Sequence, residues 1–256
     1  MIRNFIPSTI TIGSVDLYTY GLLLGFSGVM MYLMSKKILR NGLNDWQYFL
    51  IALGALLGGR ILFLLHNIDL VRLDLTYIFR ISSGGFALYG AIVGGILAIL
   101  LLRKVFKPNL AKVIDSLAIG LPLAQAIGRI GNFANNELYG KPTSVKWAVF
   151  IPKEDRILGY ESFAGFHPTF LYESILDLVN FAILVVLYRS KKFKSGVLSA
   201  VYLLNYGVIR LILNRVRIDK EYFLGIETSD LFSVIAICLA LYIIISSFLN
   251  SRRASL

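Results

Sequence analysis

Residues 85–102, GFALYGAIVGGILAILLL, form an apolar run that contains no Asp, Glu, Lys or Arg. The hydrocarbon core of a bilayer is about 30 Å thick, and a helix needs about 20 mostly apolar residues to cross it. A barrel strand would alternate between apolar and polar residues, and this run does not. The run therefore predicts a transmembrane helix.

Six further runs meet the same criterion, so the sequence predicts seven transmembrane helices. The others lie at residues 17–34, 47–65, 113–131, 170–188, 196–213 and 230–249. The composition agrees, because 57% of the residues are hydrophobic and only 16% are charged, too few to cover a soluble core. We predict an all-α membrane protein in which residues 1–256 form a single integral membrane domain.

The basic residues are distributed unevenly over the connections between these runs. Residues 35–46, 103–112, 189–195 and 250–256 carry 13 Lys and Arg against one acid, Asp45. Short loops rich in Lys and Arg stay in the cytoplasm, so we expect the amino terminus outside and the carboxyl terminus inside. The same asymmetry accounts for most of the net charge of +11, and no nucleic-acid partner is inferred.

Two of the outer connections are long. Residues 66–84 mix apolar and charged side chains, which is typical of a short element lying in the membrane interface. Residues 132–169, with a predicted strand at 146–152, are expected to form a small extracytoplasmic cap. The single cysteine, Cys238, excludes an internal disulfide, and neither histidine has companions at metal-ligand spacing.

Ionisable side chains occur inside the predicted helices, where each costs about 2.5–3.5 kcal/mol at the bilayer centre. A single arginine near a helix end usually snorkels to the interface. Here, however, several such groups from four helices lie at one depth in the outer half. They are Arg60, Arg129, Glu173, Asp177 and Arg210, with Tyr20 and Tyr89 at a similar depth. The surplus of arginine predicts an outward-facing pocket for the phosphate of a lipid headgroup.

Two further patterns concern helix packing. Pairs of glycines four residues apart, at 21 and 25, 54 and 58, and 90 and 94, are expected to let helices approach closely. Asp115, at the inner end of the fourth run, is expected to form an ion pair with Lys112.

The stretch GRIGNFANNELYG at residues 128–140 does not fit a simple apolar helix. Its glycines and asparagines predict that the helix breaks just after Arg129 and that a turn presents Asn132 and Glu137 at the membrane surface. This stretch closely resembles the signature of the bacterial prolipoprotein diacylglyceryl transferases. Further similarity to that family lies in residues 20–22 (YGL), 59–60 (GR), 84–90 (GGFALYG), 167–173 (HPTFLYE) and 206–210 (YGVIR).

The resemblance implies an enzyme that transfers diacylglycerol from phosphatidylglycerol to the lipobox cysteine thiol of a preprolipoprotein. A thioether forms and glycerol phosphate leaves, the first step of lipoprotein maturation. The resemblance also implies a multi-pass protein of the bacterial inner (plasma) membrane, surrounded by membrane lipids. Its site would face the extracytoplasmic side, and no cofactor is implied.

Site residues carry over from the family motifs one by one. The implied catalytic residues are Arg129, Arg210, Tyr20, Glu137 and Tyr89. The implied substrate-binding residues are Arg129, Asn132, Gly140, Arg60 and His167. The two arginines at 129 and 210 would hold the phosphodiester. The group that removes the thiol proton stays open among Tyr20, Tyr89, Glu137 and His167.

The sequence departs from the family pattern at three positions. Tyr89 stands where some members have histidine, Phe170 where glutamine is commoner, and Asn214 where an acid is usual one turn after Arg210. We expect Asn214 to lie beside Arg210 and to accept a hydrogen bond from it. This departure leaves open a paralogous lipid-headgroup transferase with another acceptor. A transporter for an anionic lipid is a weaker alternative, because the inner halves of the spans are nearly uncharged.

Overall fold

The computed structural model describes residues 1–13, 15–40, 42–79, 85–223 and 225–253. Its helices in these ranges are α1 (Thr19–Leu39), α2 (Asp45–His66), α3 (Ile68–Leu73), α4 (Leu88–Phe106), α5 (Leu110–Ala134), α6 (Thr169–Ser190), α7 (Val197–Asn214) and α8 (Thr228–Arg253). All except the short α3 are long and apolar enough to cross a membrane. The predicted all-α fold with seven membrane-spanning helices is thereby confirmed, and the protein is a multi-pass membrane protein.

The strands of the described ranges form three small antiparallel hairpins. They are β1 (Thr9–Ile12) with β2 (Val15–Tyr18), β3 (Val149–Phe150) with β4 (Gly165–Phe166), and β5 (Tyr222–Phe223) with β6 (Ile226–Glu227). The strand predicted within residues 146–152 is β3. The element predicted within residues 66–84 is α3 followed by a 3₁₀ turn, Leu75–Phe79. Residues 80–84, with Gly84 of the family-like stretch, and residues 254–256 of the predicted inner tail lie outside the described residues.

The chain divides into two compact units, Lys36–Val113 and the combination of Met1–Ser35 with Ile114–Leu256. A capping box stabilises the start of helix α2 in the first unit. Asn44 Oδ1 accepts from the Gln47 amide, and Gln47 Oε1 accepts from the Asn44 amide, each at 2.9 Å. These bonds satisfy two amides that the first turn of a helix would otherwise leave unpaired.

Glycines bring α2 and α4 into backbone contact in this first unit. A Cβ added at Gly54 or Gly58 of α2, or at Gly90 or Gly94 of α4, would lie under 3.0 Å from a carbonyl oxygen of the facing helix. The predicted close approach is confirmed for these two pairs. It is wrong for the pair at residues 21–25, where an added Cβ would meet no described heavy atom within 4 Å.

Helix α7 of the second unit receives its amino-terminal cap from α5. Asp115 Oδ2 accepts from the Gly196 amide at 2.7 Å, and Asp115 Oδ1 accepts from the Ser199 amide at 2.8 Å. Gly196 has no side chain to serve as a cap, so the carboxylate satisfies two open amides and complements the positive helix end. The buried Asp115, expected to form an ion pair with Lys112, is instead a helix cap.

The loop segment between α5 and α6, residues 135–168, has a small hydrophobic core with the start of α6. Its buried members are Tyr139, Val149, Ile151, Phe166 and Phe170. The Tyr139 hydroxyl donates to the Asp155 carbonyl at 3.0 Å and accepts from the Ile157 amide at 2.6 Å. Burial raises the pKa of Tyr139, so the phenol remains neutral and keeps both bonds.

The amino-terminal segment adds a third extended chain to the β3–β4 hairpin. The Ile2 amide donates to the Ala148 carbonyl at 2.7 Å, and the Phe150 amide donates to the Ile2 carbonyl at 2.8 Å. Asn4 Nδ2 then donates to the Ala134 carbonyl at 3.0 Å, at the end of α5. The segment thus ties the loop hairpin to the helix that precedes it.

Candidate functional site

Helix α5 carries the first site arginine and extends further than predicted. The expected break just after Arg129 is wrong, because the helix continues through Gly131 and Asn132 to Ala134. Glycine in a helix interior costs only about 1 kcal/mol, which packing readily offsets. At Gly131 the absence of a side chain makes room for the ring of Tyr20 from α1, where a Cβ would collide with it.

One carboxylate, Glu173 of α6, lies among three arginines. Its side chain is 1% exposed. Arg129 Nη2 donates to Glu173 Oε1. Arg210 Nη1, from α7, lies 3.3 Å from Oε2, and Arg217 Nη1, just beyond α7, lies 3.5 Å from the same oxygen. We call these four residues the arginine cluster; the Tyr206 hydroxyl borders it, 3.5 Å from Oε1.

Sequence reasoning placed three members of the arginine cluster at one depth, Arg129, Glu173 and Arg210. It missed the role of Glu173 and the presence of Arg217. Glu173 closes the family-like stretch at residues 167–173, but depth alone does not show that it is the shared partner. Arg217 lies beyond the last turn of α7 and so outside every predicted span. It is held by Asp219, whose Oδ1 accepts from Arg217 Nε at 3.0 Å.

The charge of the arginine cluster is not fully compensated. Three guanidinium groups face the carboxylates of Glu173 and Asp219, which leaves a surplus of one positive charge. The side chains of Arg129 and Arg210 are each 17% exposed, whereas that of Arg217 is 8% exposed. The first two therefore offer partly open, fork-shaped donors to an anion, the geometry that suits phosphate.

A chain of amide and carboxylate contacts leads from the arginine cluster towards the loop segment. Arg129 Nη1 donates to Asn132 Oδ1 at 3.1 Å, and Asn132 Nδ2 donates to Glu137 Oε1 at 2.8 Å. The Tyr20 hydroxyl interacts with both Asn132 and Glu137. Four predicted site residues from two helices and one loop are thus brought together.

A glycine is required at position 140 because two other segments of the protein approach its backbone closely. Its amide donates to the His167 carbonyl at 2.8 Å, and a Cβ there would lie 2.7 Å from Thr169 Cγ2 and 2.9 Å from the Val216 carbonyl oxygen. Gly140 also forms an antiparallel bridge with Arg217. It therefore supports the backbone that carries a member of the arginine cluster.

The ring of His167 contacts Tyr172 of α6, which in turn binds Trp147 of the loop segment. Its Nδ1 lies 3.2 Å from the Tyr172 hydroxyl, and the same hydroxyl accepts from Trp147 Nε1 at 2.8 Å. The backbone of His167 contacts Gly140, but the described bonds of its ring lead away from the arginine cluster.

Arg60 and Tyr89 belong to the Lys36–Val113 unit. Arg60 is buried, and it donates to the Gly85 carbonyl at 3.0 Å and to the Tyr77 carbonyl at 2.6 Å. Its guanidinium also lies 5.5 Å from the ring centre of Phe63. These contacts account for a buried charge in an apolar unit. Tyr89, in the first turn of α4, is exposed.

Asn214 does not contact Arg210 in the way we expected. Its buried side chain donates through Nδ2 to Asp230 Oδ1 of α8 at 2.8 Å, whereas Arg210 Nη2 donates to Ser229 Oγ at 2.9 Å. The prediction is wrong because α8 supplies nearer partners for both side chains. An acid, Asp230, therefore still borders this end of α7.

In the part of the chain that the structure describes, His, Cys, Asp and Glu side chains form no group of three that could hold a metal ion. Polar contacts near the arginine cluster are guanidinium, carboxylate, amide and hydroxyl. The guanidinium, amide and hydroxyl groups can bind and orient an anion, and the carboxylate and hydroxyl groups can transfer protons.

Residues 7–246 match the family described as prolipoprotein diacylglyceryl transferase. Similar curated proteins are named phosphatidylglycerol–prolipoprotein diacylglyceryl transferase. The protein from Thermotoga maritima is 32% identical over 95% of this chain and 86% of its own length. Those from Acaryochloris marina and Trichormus variabilis are 33% and 35% identical, over 97% and 92% of this chain and 95% and 87% of their own lengths. The chain therefore belongs to the prolipoprotein diacylglyceryl transferase family.

Proposed function

We propose that the protein transfers the diacylglyceryl group of phosphatidylglycerol to the lipobox cysteine thiol of a preprolipoprotein. The arginine cluster carries this proposal, because it combines fork-shaped donors with a surplus positive charge at the ends of membrane-spanning helices. A phospholipid presents its phosphodiester at the same kind of boundary between hydrocarbon and water. Family membership supports the same reaction.

Arg129 and Arg210 hold the phosphodiester. They are the more exposed arginines of the cluster, and each keeps a contact to Glu173 that fixes its orientation. Negative charge grows on the phosphate as the glyceryl carbon–oxygen bond breaks, and preorganised guanidinium groups stabilise that charge. Arg217, which is more buried and bound to Asp219, positions Glu173.

The transfer is a nucleophilic substitution at carbon. The sulfur of the substrate cysteine attacks the terminal glyceryl carbon, a carbon–sulfur bond forms, and the carbon–oxygen bond breaks. Glycerol phosphate leaves with the bonding electron pair, and the thiol proton passes to a base. Because the peptide supplies the thiol, the protein needs neither its own cysteine nor a cofactor.

The remaining predicted residues serve the same reaction. Glu137 and Tyr20 are connected through Asn132 to the arginine that holds the phosphate, and so are suited to receive the thiol proton. Tyr89 is the alternative proton acceptor on α4. Asn132, Gly140 and His167 shape the substrate site, in part through the backbone contacts that they make, and Arg60 stays a predicted substrate-binding residue of the Lys36–Val113 unit.

We infer that the amino terminus lies outside and the carboxyl terminus inside the bacterial inner membrane. The 13 Lys and Arg against one acid in the short connections support this orientation. Residues 132–169 then form an extracytoplasmic cap, and the site faces the extracytoplasmic side. Residues 1–256 act as a single membrane domain in this proposal.

The activity is tested with purified protein, phosphatidylglycerol and a synthetic lipobox peptide, by recording the peptide mass. The expected result is a gain of one diacylglyceryl group, absent when serine replaces the peptide cysteine. Folded protein that forms no adduct with several anionic lipids would overturn the proposal. An adduct on a different acceptor would instead identify a paralogous lipid transferase.

The orientation is tested separately by labelling single cysteines in intact cells, in a Cys238→Ser background. An impermeant thiol reagent should label a cysteine introduced at Ser144, in the loop segment, and should spare one at Ser190, at the end of α6. Labelling of the Ser190 position from outside would reverse the topology. Labelling after cell lysis controls for reactivity at each position.

A further inference from the structure

A second acid on α6, Asp177, lies one turn after the carboxylate of the arginine cluster. Its side chain is 0% exposed, and neither carboxylate oxygen has a hydrogen-bond partner among the described residues. Nearby polar side chains are paired with one another instead. Tyr202 donates to Gln125 at 3.2 Å, and Asn205 donates to Asn180 at 2.8 Å. Hydrogen bonds therefore do not account for the burial of Asp177.

The charged and titratable groups that face Asp177 come from three helices. They are Glu173 of the same helix, Arg129 of α5, and Tyr202, Tyr206 and Arg210 of α7. A buried carboxylate is stable only when it is paired with positive charge or protonated. Burial favours the neutral form of Asp177 and the charge of the arginines favours the ionised form, so the two effects oppose each other.

The surplus charge of the arginine cluster amounts to one, and two anions can cancel it. An ionised Asp177 cancels it from within the protein, and the phosphodiester of a bound lipid cancels it from the open side. If both were present, the buried group would carry an uncompensated negative charge. The two anions thus compete for the same positive charge.

We propose that Asp177 is the proton-exchanging counter-ion of the arginine cluster. Above the pH at which it titrates, it is ionised while the cluster holds no anion, and it takes up a proton when a phosphodiester binds. Asp177 is a positioning residue, because it acts on the lipid through Arg129 and Arg210. The identity of the lipid anion rests on the proposed function.

The direction of the pH dependence follows from linkage. Bound phosphodiester favours protonated Asp177, so protonated Asp177 favours binding by the same factor. Affinity for the lipid is therefore highest at low pH and falls as pH rises through the titration of Asp177. Uptake of one proton limits the change to about tenfold per pH unit.

The test measures the affinity for short-chain phosphatidylglycerol in detergent between about pH 5.5 and 8.5. The phosphodiester stays a monoanion throughout. The wild-type dissociation constant should rise with pH, whereas Asp177→Asn should give a flat profile at the wild-type low-pH value. Asp230→Asn, which removes an acid bonded to Asn214 on α8, should keep the wild-type slope. A wild-type slope in Asp177→Asn would overturn the inference.

A second measurement uses wild-type protein alone, and so stands even if the variant fails to fold. Calorimetry of lipid binding in two buffers with different ionisation enthalpies should reveal proton uptake of up to one per lipid. Binding without proton uptake over the same pH range would overturn the inference. Transfer to a lipobox peptide is recorded in parallel: its absence, with proton-linked binding intact, would overturn only the proposed function.

Discussion

Two helix contacts in this protein are made by different kinds of residue, glycines in one and charged side chains in the other. In the Lys36–Val113 unit, α2 and α4 meet through Gly54, Gly58, Gly90 and Gly94, and their backbones touch. In the other unit, α5, α6 and α7 meet through charged side chains around Glu173. The first contact is made through glycine backbones, whereas the second includes a buried cluster of charged side chains.

The difference separates the two ways in which helices associate in lipid. Glycine contacts gain van der Waals energy only if the backbones fit closely, so they tolerate no added volume. An ionic contact tolerates small changes in shape, but it fails when the charges no longer balance. The same imbalance leaves the second contact able to bind an anion, which the glycine contact cannot do.

The largest effect is expected from Glu173→Gln. This change removes the shared carboxylate and leaves three guanidinium groups facing one another, with only Asp219 and the unpaired Asp177 as nearby acids among the described residues. Breaking a buried ion pair in this way costs about 3–5 kcal/mol, so the unfolding temperature in detergent should fall steeply. Glu154→Gln, on the exposed part of the loop segment, should leave it unchanged. A stable Glu173→Gln protein would show that the cluster does not hold these helices together.

Arg129→Lys and Arg210→Lys should each reduce transfer at least about a hundredfold, although charge is kept. A point charge cannot reproduce the two-pronged contact with phosphate oxygens. The rate is measured as peptide lipidation per protein, with Arg103→Lys at an exposed position as the control. Near-normal turnover in both variants would make the two arginines purely structural.

Gly94→Ala should destabilise the Lys36–Val113 unit by about 1–3 kcal/mol, the usual range for overpacking. The added methyl would meet the Gly54 carbonyl oxygen closer than any ordinary contact allows. Gly95→Ala is the matched control, since its methyl would lie 3.7 Å from Ala55 Cβ. Chemical unfolding of both variants checks the prediction, and equal stability would contradict the backbone contact.

The smallest effect is expected from Asp115→Ala, about 1 kcal/mol, the typical value of a helix cap. The change leaves the amides of Gly196 and Ser199 without their acceptor. Hydrogen exchange should then accelerate in the first turn of α7, while the arginine end of that helix keeps its protection. Unchanged exchange would mean that the cap contributes nothing. Asp115→Asn, which retains an acceptor oxygen, should recover part of the protection.

Apolar length was sufficient to predict the seven helices, because a long apolar segment in lipid can satisfy its backbone hydrogen bonds in few structures other than a helix. Helix ends were predicted less well. The extension of α5 through Gly131 to Ala134 depends on Tyr20, more than a hundred residues away. The β1–β2 hairpin was missed, because polar and apolar residues alternate over only four positions in Thr9–Ile12, and Ile10 and Ile12 are both exposed.

In the site, family-like motifs pointed to Arg129, Arg210 and Asn132, which the structure brings together, but not to the way in which they are connected. The role of Glu173 arises from three side chains that converge from separate segments, which spacing along one helix cannot reveal. Asn214 was assigned to the wrong neighbour for the same reason. Its partner, Asp230, lies on α8 and becomes a neighbour only when α7 and α8 pack.

The sharing of one carboxylate by three arginines has a consequence for turnover. During transfer the phosphate changes from a diester with one negative charge to a monoester that can carry two. Without Glu173 the cluster would carry a surplus of two positive charges and would bind that product more tightly than the substrate, and each cycle would end in slow dissociation. By lowering the surplus charge, Glu173 allows glycerol phosphate to leave, so that the enzyme is limited less by its own product.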